Sequence, residues 1–542
     1  MCITVRHFPV SGLAPMSNRP SVLNRTCLEQ LDFATLTQNQ MGLERETLRV
    51  DAHGQVSESD HPQGIGHKLT HPSITVDFSE GLLELVTAPH RGGEPMLNEL
   101  GQLHAWVARH LPAGERLWAM SMPPSALNEQ IRIADFGPSA SGRMKQIYRQ
   151  GLASRYGKIM QVIAGVHFNF SFDPRFLAHM HNRLGQGLDE QACRNQLYFR
   201  LIRGFDQHAW VLPYLFGASP IAARSSMAQP TSWLRTLDDQ HVYGEFATSL
   251  RMSDIGYQSP AQSDLNISHR DLTDYVRELV LATRTPWPAY EALGAQANGD
   301  WVQLNGNILQ IENEYYSAIR PKQIVERGER PACALFNRGV SYIEVRMLDV
   351  DPFAPLGLSA DSARFLEVFL LACLAWGEDN PGREKIDKHN RTVAIRYGRQ
   401  PGVKLMRGSS SLSLRHWLDE CLDDCALIAV QLDRAHGGQR YAQAVQIQRD
   451  KWQAPETLPS QRVLDAGADG GYHDWALGLA ERHTRRFAEQ TMDTAVAAEL
   501  TQLTRDSFEQ AAALPAASAS QVEAYVQDYF ASVCDDMLAS LL

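Results

Sequence analysis

The chain has no phosphate-cradling P-loop. Gly157-Lys158 lacks both a correctly spaced earlier glycine and a following serine or threonine, so a bound nucleotide has to be gripped another way. There is no His-Glu-x-x-His helix, which argues against a zincin-type hydrolase. The longest apolar run, Phe365–Trp376, is too short to span a bilayer and carries Glu367, so no membrane partner is expected. Met1–Phe8 is not a basic segment leading into an apolar stretch. No signal peptide is expected and the cytoplasm is the expected location, with Met1 and Met16 both open as starts. Eight cysteines are scattered through 542 residues without one Cys-x-x-Cys pair, which suits reduced thiols. Cys421 and Cys425 share a helix face, and the plain reading is two small side chains there. Positive charge is also short: 51 Lys+Arg face 62 Asp+Glu, a formal net charge of −11 with no basic stripe. Nucleic acid is therefore not an expected partner.

What is present points to oxygen-ligand chemistry. Six acidic or imidazole side chains lie in segments that read as strand: Glu44 and Glu46 in Gly42–Val50, Asp77 and Glu84 in Thr75–Glu84, His167 in Val166–Phe172, and Glu344 in Tyr342–Met347. Side chains alternate across a strand, so Glu44 and Glu46 share a face roughly 7 Å apart. Like charges placed so closely are costly to bury without cations. Arg45, Thr47 and Arg49 take the other face, and a strand charged on both sides has little reason to exist unless one side lines a cleft. His167, Asn169 and Ser171 likewise oppose Phe168, Phe170 and Phe172, while Glu344 and Arg346 oppose Ile343, Val345 and Met347. Taken singly, each residue has a plain reading: a solvated Glu-x-Glu, an edge glutamate, a hydrogen-bonded core histidine. Together they describe a sheet face suited to several Mg²⁺ ions, which prefer oxygen ligands and retain water and substrate phosphates. Arg346 on that face, with Arg149 and Arg320-Pro321-Lys322, are candidate phosphate donors for phosphoryl transfer.

Along the chain, residues 1–40 read as a weakly ordered extension, with helix possible over Cys27–Leu36. Residues 41–360 alternate strand-like and helix-like segments and form the expected catalytic body. Residues 361–542 read as a helical region packed on it, with helices over Ser410–Asp433, Gln439–Lys451, Tyr472–Thr491, Thr494–Ala513 and Gln521–Leu541. No internal repeat is present. The expected fold class is α+β, an antiparallel or mixed sheet with covering helices, in one packed unit.

These segments, with Gly165–Ser171, Pro213–Pro220, Ala247–Asp254, Leu309–Glu314, Ile319–Lys322 and Tyr342–Arg346, occur in an order that resembles the proteobacterial-type glutamate–cysteine ligases. The resemblance is strong over 41–360 and weak beyond. The first forty residues, Tyr315 and Thr231–Gly244 depart from the family pattern. It implies a glutamine synthetase-like sheet funnel and ATP-dependent joining of the glutamate γ-carboxylate to the cysteine amine, ATP being a co-substrate. It further implies that Glu44, Glu46, Asp77, Glu84, His167 and Glu344 hold two or three Mg²⁺ ions, Mn²⁺ being possible. Arg149 and Arg346 would grip the transferring phosphoryl group. Tyr148, Gln161, Arg251, Tyr257 and Tyr316 would line the amino-acid pocket, with Arg251 on the cysteine carboxylate. A monomer using only small-molecule substrates is expected. The alternatives are a sister ligase with another acceptor amine, a phosphotransferase of guanidino-kinase type, and a non-catalytic amino-acid sensor.

Overall fold

The computed structural model describes residues 33–531, apart from 127, 186, 228–230, 257–258, 264, 378–381 and 469–470. Most of the helix expected over Cys27–Leu36 lies outside the described residues, and its end, Phe33–Leu36, is a 3₁₀ turn.

An eight-stranded antiparallel sheet organises the fold. Its strands are β1 (Gln40–Val50), β2 (Ile74–Val76), β3 (Leu82–Val86), β4 (His90–Arg91), β5 (Arg116–Leu117), β6 (Val166–Ser171), β7 (Ile319–Lys322) and β8 (Tyr342–Leu348). The spatial order is β7-β8-β6-β1-β3-β2, with β4 and β5 also pairing with β1. β1 is central and buried on both sides, which explains its doubly charged pattern. Its rear-facing Arg49 is fully buried, meeting Glu115 at 2.9 Å and the Ser59 hydroxyl at 2.6 Å. The phenylalanines of β6 and the Ile343, Val345 and Met347 side chains of β8 pack into the core, as the alternation predicts.

The sheet places Asp77 differently from the sequence reading. It lies just past β2, at the start of a tight turn in which its N–H donates to the Leu82 carbonyl at 3.0 Å. The turn through Ser79–Gly81 is too short for continuous strand, so Asp77 projects from a corner.

Helices cover the sheet: α1 (Gly93–His110), α2 (Ala140–Tyr156), α3 (Glu190–His208) and α4 (Ala360–Trp376). The apolar run that is too short for a bilayer is α4, buried along nearly its whole length. It lies tightly against α3 at Gly204, where a β-carbon would collide with the Cys373 carbonyl. Beyond it come α5 (Leu414–His436), α6 (Arg440–Gln453), α7 (Tyr472–Glu489), α8 (Thr494–Ala512) and α9 (Ala519–Ala531). The helix expected from Ser410 begins only at Leu414. Ser410–Ser413 instead pairs with Lys404–Arg407 in a hairpin whose turn uses Gly408 at φ 64°. The last helix is described to Ala531. One apolar cluster runs from Phe33 to Leu500, so the later helices share their core with the sheet. A smaller cluster seats Val522 and Val526 of α9 on Met144 and Ile147 of α2, bracing the helix that carries Tyr148 and Arg149. Among the described residues no helix is long and apolar enough to cross a membrane.

Candidate active site

Strand register builds the carboxylate face. Glu44 pairs across with His167, Glu46 with Glu84, and Glu344 with Asn169. Cross-strand neighbours on one face are about 5 Å apart, so residues distant in sequence converge. His167 is the hub. Its Nδ1 lies 3.1 Å from Glu44 Oε2 and 3.7 Å from Glu344 Oε1, and its Nε2 lies 3.7 Å from Glu46 Oε1. One ligand atom each from Glu44, Glu84 and His167 lie within 4.8 Å of one another.

The protein only partly neutralises this cluster. Arg346 Nη1 donates to Glu344 Oε1 at 3.0 Å, and Lys322 Nζ approaches Glu344 Oε2 at 3.6 Å. Burial pushes the Glu344 carboxyl up, but Lys322, Arg346, His167 and Arg320 together hold it well below the ordinary carboxylate range. Glu84 has only Lys145 and Arg149 as cationic company, and they do not prevail. Burial and the charges of Glu44, Asp77, Glu46 and Glu344 drive it well above its usual value, and burial with Glu46 raises Asp77. Glu344 Oε2 is buried with no hydrogen-bond partner. Repelling carboxylates around a histidine, with an orphaned buried oxygen, are a donor set that fits hard divalent cations.

Beside this face opens a cleft of about 810 Å³, bordered by Glu46, Asp77, His167 and Arg346 of the cluster and by Tyr148, Arg149, Gln161, Arg251 and Tyr316. Thus every sequence-selected residue within the described set is in the cleft or in the cluster beside it; Tyr257 lies outside the described residues. Arg149 stacks over Phe136, 4.4 Å from its ring centroid, and its Nε donates to the Asp77 carbonyl. That contact ties the phosphate candidate to the Asp77 corner of the carboxylate face. Burial raises the Tyr148 phenol, which therefore stays a neutral hydroxyl. Gln161 turns a buried amide nitrogen without a hydrogen-bond partner toward the cleft. Arg251 Nη2 donates to the Arg346 carbonyl at 3.0 Å, and Tyr316 places its hydroxyl 3.4 Å from Met252 Sδ.

Sequence reasoning missed the supports. Asn169 donates to Glu44 Oε1 at 2.9 Å and so orients that carboxylate. Glu314 accepts from Arg155 at 3.0 Å, the Tyr156 hydroxyl at 2.6 Å and the Gln310 N–H at 2.6 Å, all buried. This fixes the segment that carries Asn313 and Tyr316 into the cleft. The Glu312-x-Glu314 spacing was the available signal, but in sequence it looks no different from the cleft-side Glu44-x-Glu46.

A glutamate–cysteine ligase family profile matches residues 26–394. A glutamate–cysteine ligase of Bordetella bronchiseptica is 42% identical over 506 residues, spanning 92% of this chain and 95% of the relative. One from Hahella chejuensis is 43% identical over 501 residues, spanning 91% and 95%. Among solved structures, the glutamate–cysteine ligase of Francisella tularensis in complex with AMP superposes with TM-score 0.86 at 42% identity, over 92% of this chain and 98% of that one. A bifunctional glutathione synthetase from Pasteurella multocida shares the fold, with TM-score 0.71 at 22% identity, over 89% of this chain and 58% of that one. With its antiparallel, glutamine synthetase-like sheet and its carboxylate–histidine face, the chain belongs to the glutamate–cysteine ligase family.

Proposed function

We propose that this protein joins the γ-carboxylate of L-glutamate to the amine of L-cysteine at the expense of ATP. The reaction passes through γ-glutamyl phosphate and gives γ-glutamylcysteine, ADP and phosphate, the first step of glutathione biosynthesis. The observation that carries this reading is the single cleft in which a carboxylate–histidine face meets Arg149, Arg346 and Arg251. The AMP held by the Francisella relative supports an adenine nucleotide as co-substrate.

A carboxylate does not react with an amine near neutrality, because oxide is a poor leaving group and its negative charge repels the nucleophile. Phosphorylation converts the leaving group to phosphate. Two or three Mg²⁺ ions, or Mn²⁺, held by Glu44, Glu46, Asp77, Glu84, His167 and Glu344, would neutralise phosphate charge and orient the transfer. Arg149 and Arg346 bind the transferring phosphoryl oxygens from a helix and a strand and stabilise the charge that builds there. The Tyr148 hydroxyl and the Gln161 amide hold the glutamate. Arg251 holds the cysteine carboxylate, which orients the amine toward the acyl carbon, and Tyr316 closes the mouth of the cleft. Exclusion of water by these walls protects the acyl phosphate. The protein acts on small molecules alone, as a monomer in the cytoplasm.

The test is ADP release by purified protein with ATP, Mg²⁺ and L-glutamate, with and without L-cysteine, the products being identified by mass. Cysteine-dependent ADP release matched by γ-glutamylcysteine is expected. ADP release indifferent to cysteine would mean another acceptor amine, and phosphorylated product without an amide bond would mean a phosphotransferase.

A further inference from the structure

Behind the catalytic sheet, on the face of β1 opposite Glu44 and Glu46, Arg45 is buried at 3% exposure. Its Nε and Nη1 are buried with no hydrogen-bond partner. The guanidinium lines a small cavity between the sheet, α1 and α7, walled also by Thr47, His104, Trp118, His483 and Phe487. No carboxylate is among its lining residues. Thr47 and Trp118 spend their own donors elsewhere, on the Trp118 and Met122 carbonyls at 3.0 and 2.9 Å. The seat for the arginine is shaped by the chain opposite. Gly357 has φ 80°, and a β-carbon there would stand 2.7 Å from Arg45 Nε.

A guanidinium remains charged near neutrality. Its isolation in an apolar interior is strongly unfavourable unless a counter-charge accompanies it. Arg49, four residues on along the same face, shows how this chain answers that demand, with Glu115 beside it. Among the described residues Arg45 forms no ion pair on that face, Glu46 acting on it only from the neighbouring position on the opposite face, but it does have a cavity. We infer that this cavity is a binding site for one small inorganic anion of halide size, held by Arg45 Nε and Nη1. The cavity leaves about 10 Å³ for the centre of a water-sized sphere, against about 140 Å³ in the catalytic cleft on the same measure. That is enough for a single monatomic ion and far too little for a nucleotide. The site is separate from the catalytic cleft and does not rest on the ligase reading.

Bromide is the probe. Crystals of the full-length wild-type protein grown in sodium bromide should give an anomalous peak within hydrogen-bonding distance of the Arg45 guanidinium. In solution, replacing sodium gluconate by sodium bromide at constant ionic strength should raise the melting temperature logarithmically with bromide, by about 1 °C at about ten times the dissociation constant. Arg45→Met should lose both peak and shift. If that variant does not fold, His483→Phe, which keeps Arg45 but pushes a larger ring into the cavity from α7, should weaken bromide binding at least threefold in the melting titration. A water in place of bromide at Arg45 would overturn the assignment. So would a peak seen only at molar salt, marking an adventitious ion only, or a melting shift that Arg45→Met leaves intact.

Discussion

Arg346 and Glu344, two residues apart on one face of β8, are joined by a 3.0 Å hydrogen bond, and the same Arg346 nitrogen lies 3.5 Å from His167 Nδ1. The guanidinium thus serves as internal counter-charge to the carboxylate cluster while bordering the cleft. Burial works against its charge, but Glu344, Glu46 and Glu44 hold the proton on more firmly than usual. If Arg346 grips the transferring phosphoryl group, its planar fork matters most when charge is redistributed. Arg346→Lys should therefore lower kcat by about 100-fold while changing KM for ATP only a few-fold. Steady-state kinetics at saturating glutamate and cysteine decides this. A change confined to KM would make Arg346 a ground-state binding group.

Glu344 offers the complementary experiment. Its carboxylate is buried beside Lys322 and Arg346, and an amide fills the same space with one charge fewer. Glu344→Gln should keep the fold, with a melting temperature within a few degrees of wild type. The Mg²⁺ concentration for half-maximal rate should rise by about tenfold or more, because a neutral amide is a weaker ligand for a hard cation. Wild-type turnover at ordinary Mg²⁺ would remove Glu344 from the ligand set.

Gly165 immediately precedes β6, and a β-carbon there would run into the Arg251 guanidinium. Gly165→Ala therefore displaces Arg251 without touching its chemistry. If Arg251 pairs with the cysteine carboxylate, KM for cysteine should rise by about tenfold, since a charge-assisted hydrogen bond is worth roughly 1.5–3 kcal/mol, while KM for ATP stays put. Equal rises for both substrates would show a general disturbance of the cleft and refute the assignment.

The carboxylate face was legible because alternation makes it so. Once Glu44, His167 and Glu344 are read as strand residues, period two commits them to one side, and the observed register brings them together. Tyr148, Gln161 and Arg251 were different. They sit on a helix, a 3₁₀ turn and a loop, where no local pattern points to a cleft, and only likeness to a family selected them. The hairpin before α5 was hidden because one positive-φ glycine, Gly408, decides between a longer helix and a turn. Lone buried partners such as Glu314 with Arg155 were illegible for a further reason. Their 159-residue separation leaves no periodic trace, and both residue types are usually exposed.

Glu367 shows how α4 depends on pH. Its carboxylate is 1% exposed and accepts hydrogen bonds from Asn39 Nδ2 at 2.9 Å and from the Tyr441 hydroxyl at 2.8 Å, so it links the segment before β1 to α6. Burial pushes its pKa up to about 7, from 4.5 in an exposed chain, against the pull of those two bonds. The folded protein therefore holds this proton more tightly than the unfolded chain does. The resulting stability is fully present below pH 4.5 and is lost as pH rises toward 7. Each pH unit in that window costs about 1.4 kcal/mol, roughly 3 kcal/mol in all. Glu367→Gln carries a neutral side chain of the same shape at every pH and escapes that loss. Melting temperatures of the two proteins should diverge between pH 5 and pH 8, with the variant gaining on wild type by several degrees. A difference that stays constant across that range would mean that Glu367 is already ionised in the folded protein at pH 5, its charge carried by Asn39 and Tyr441.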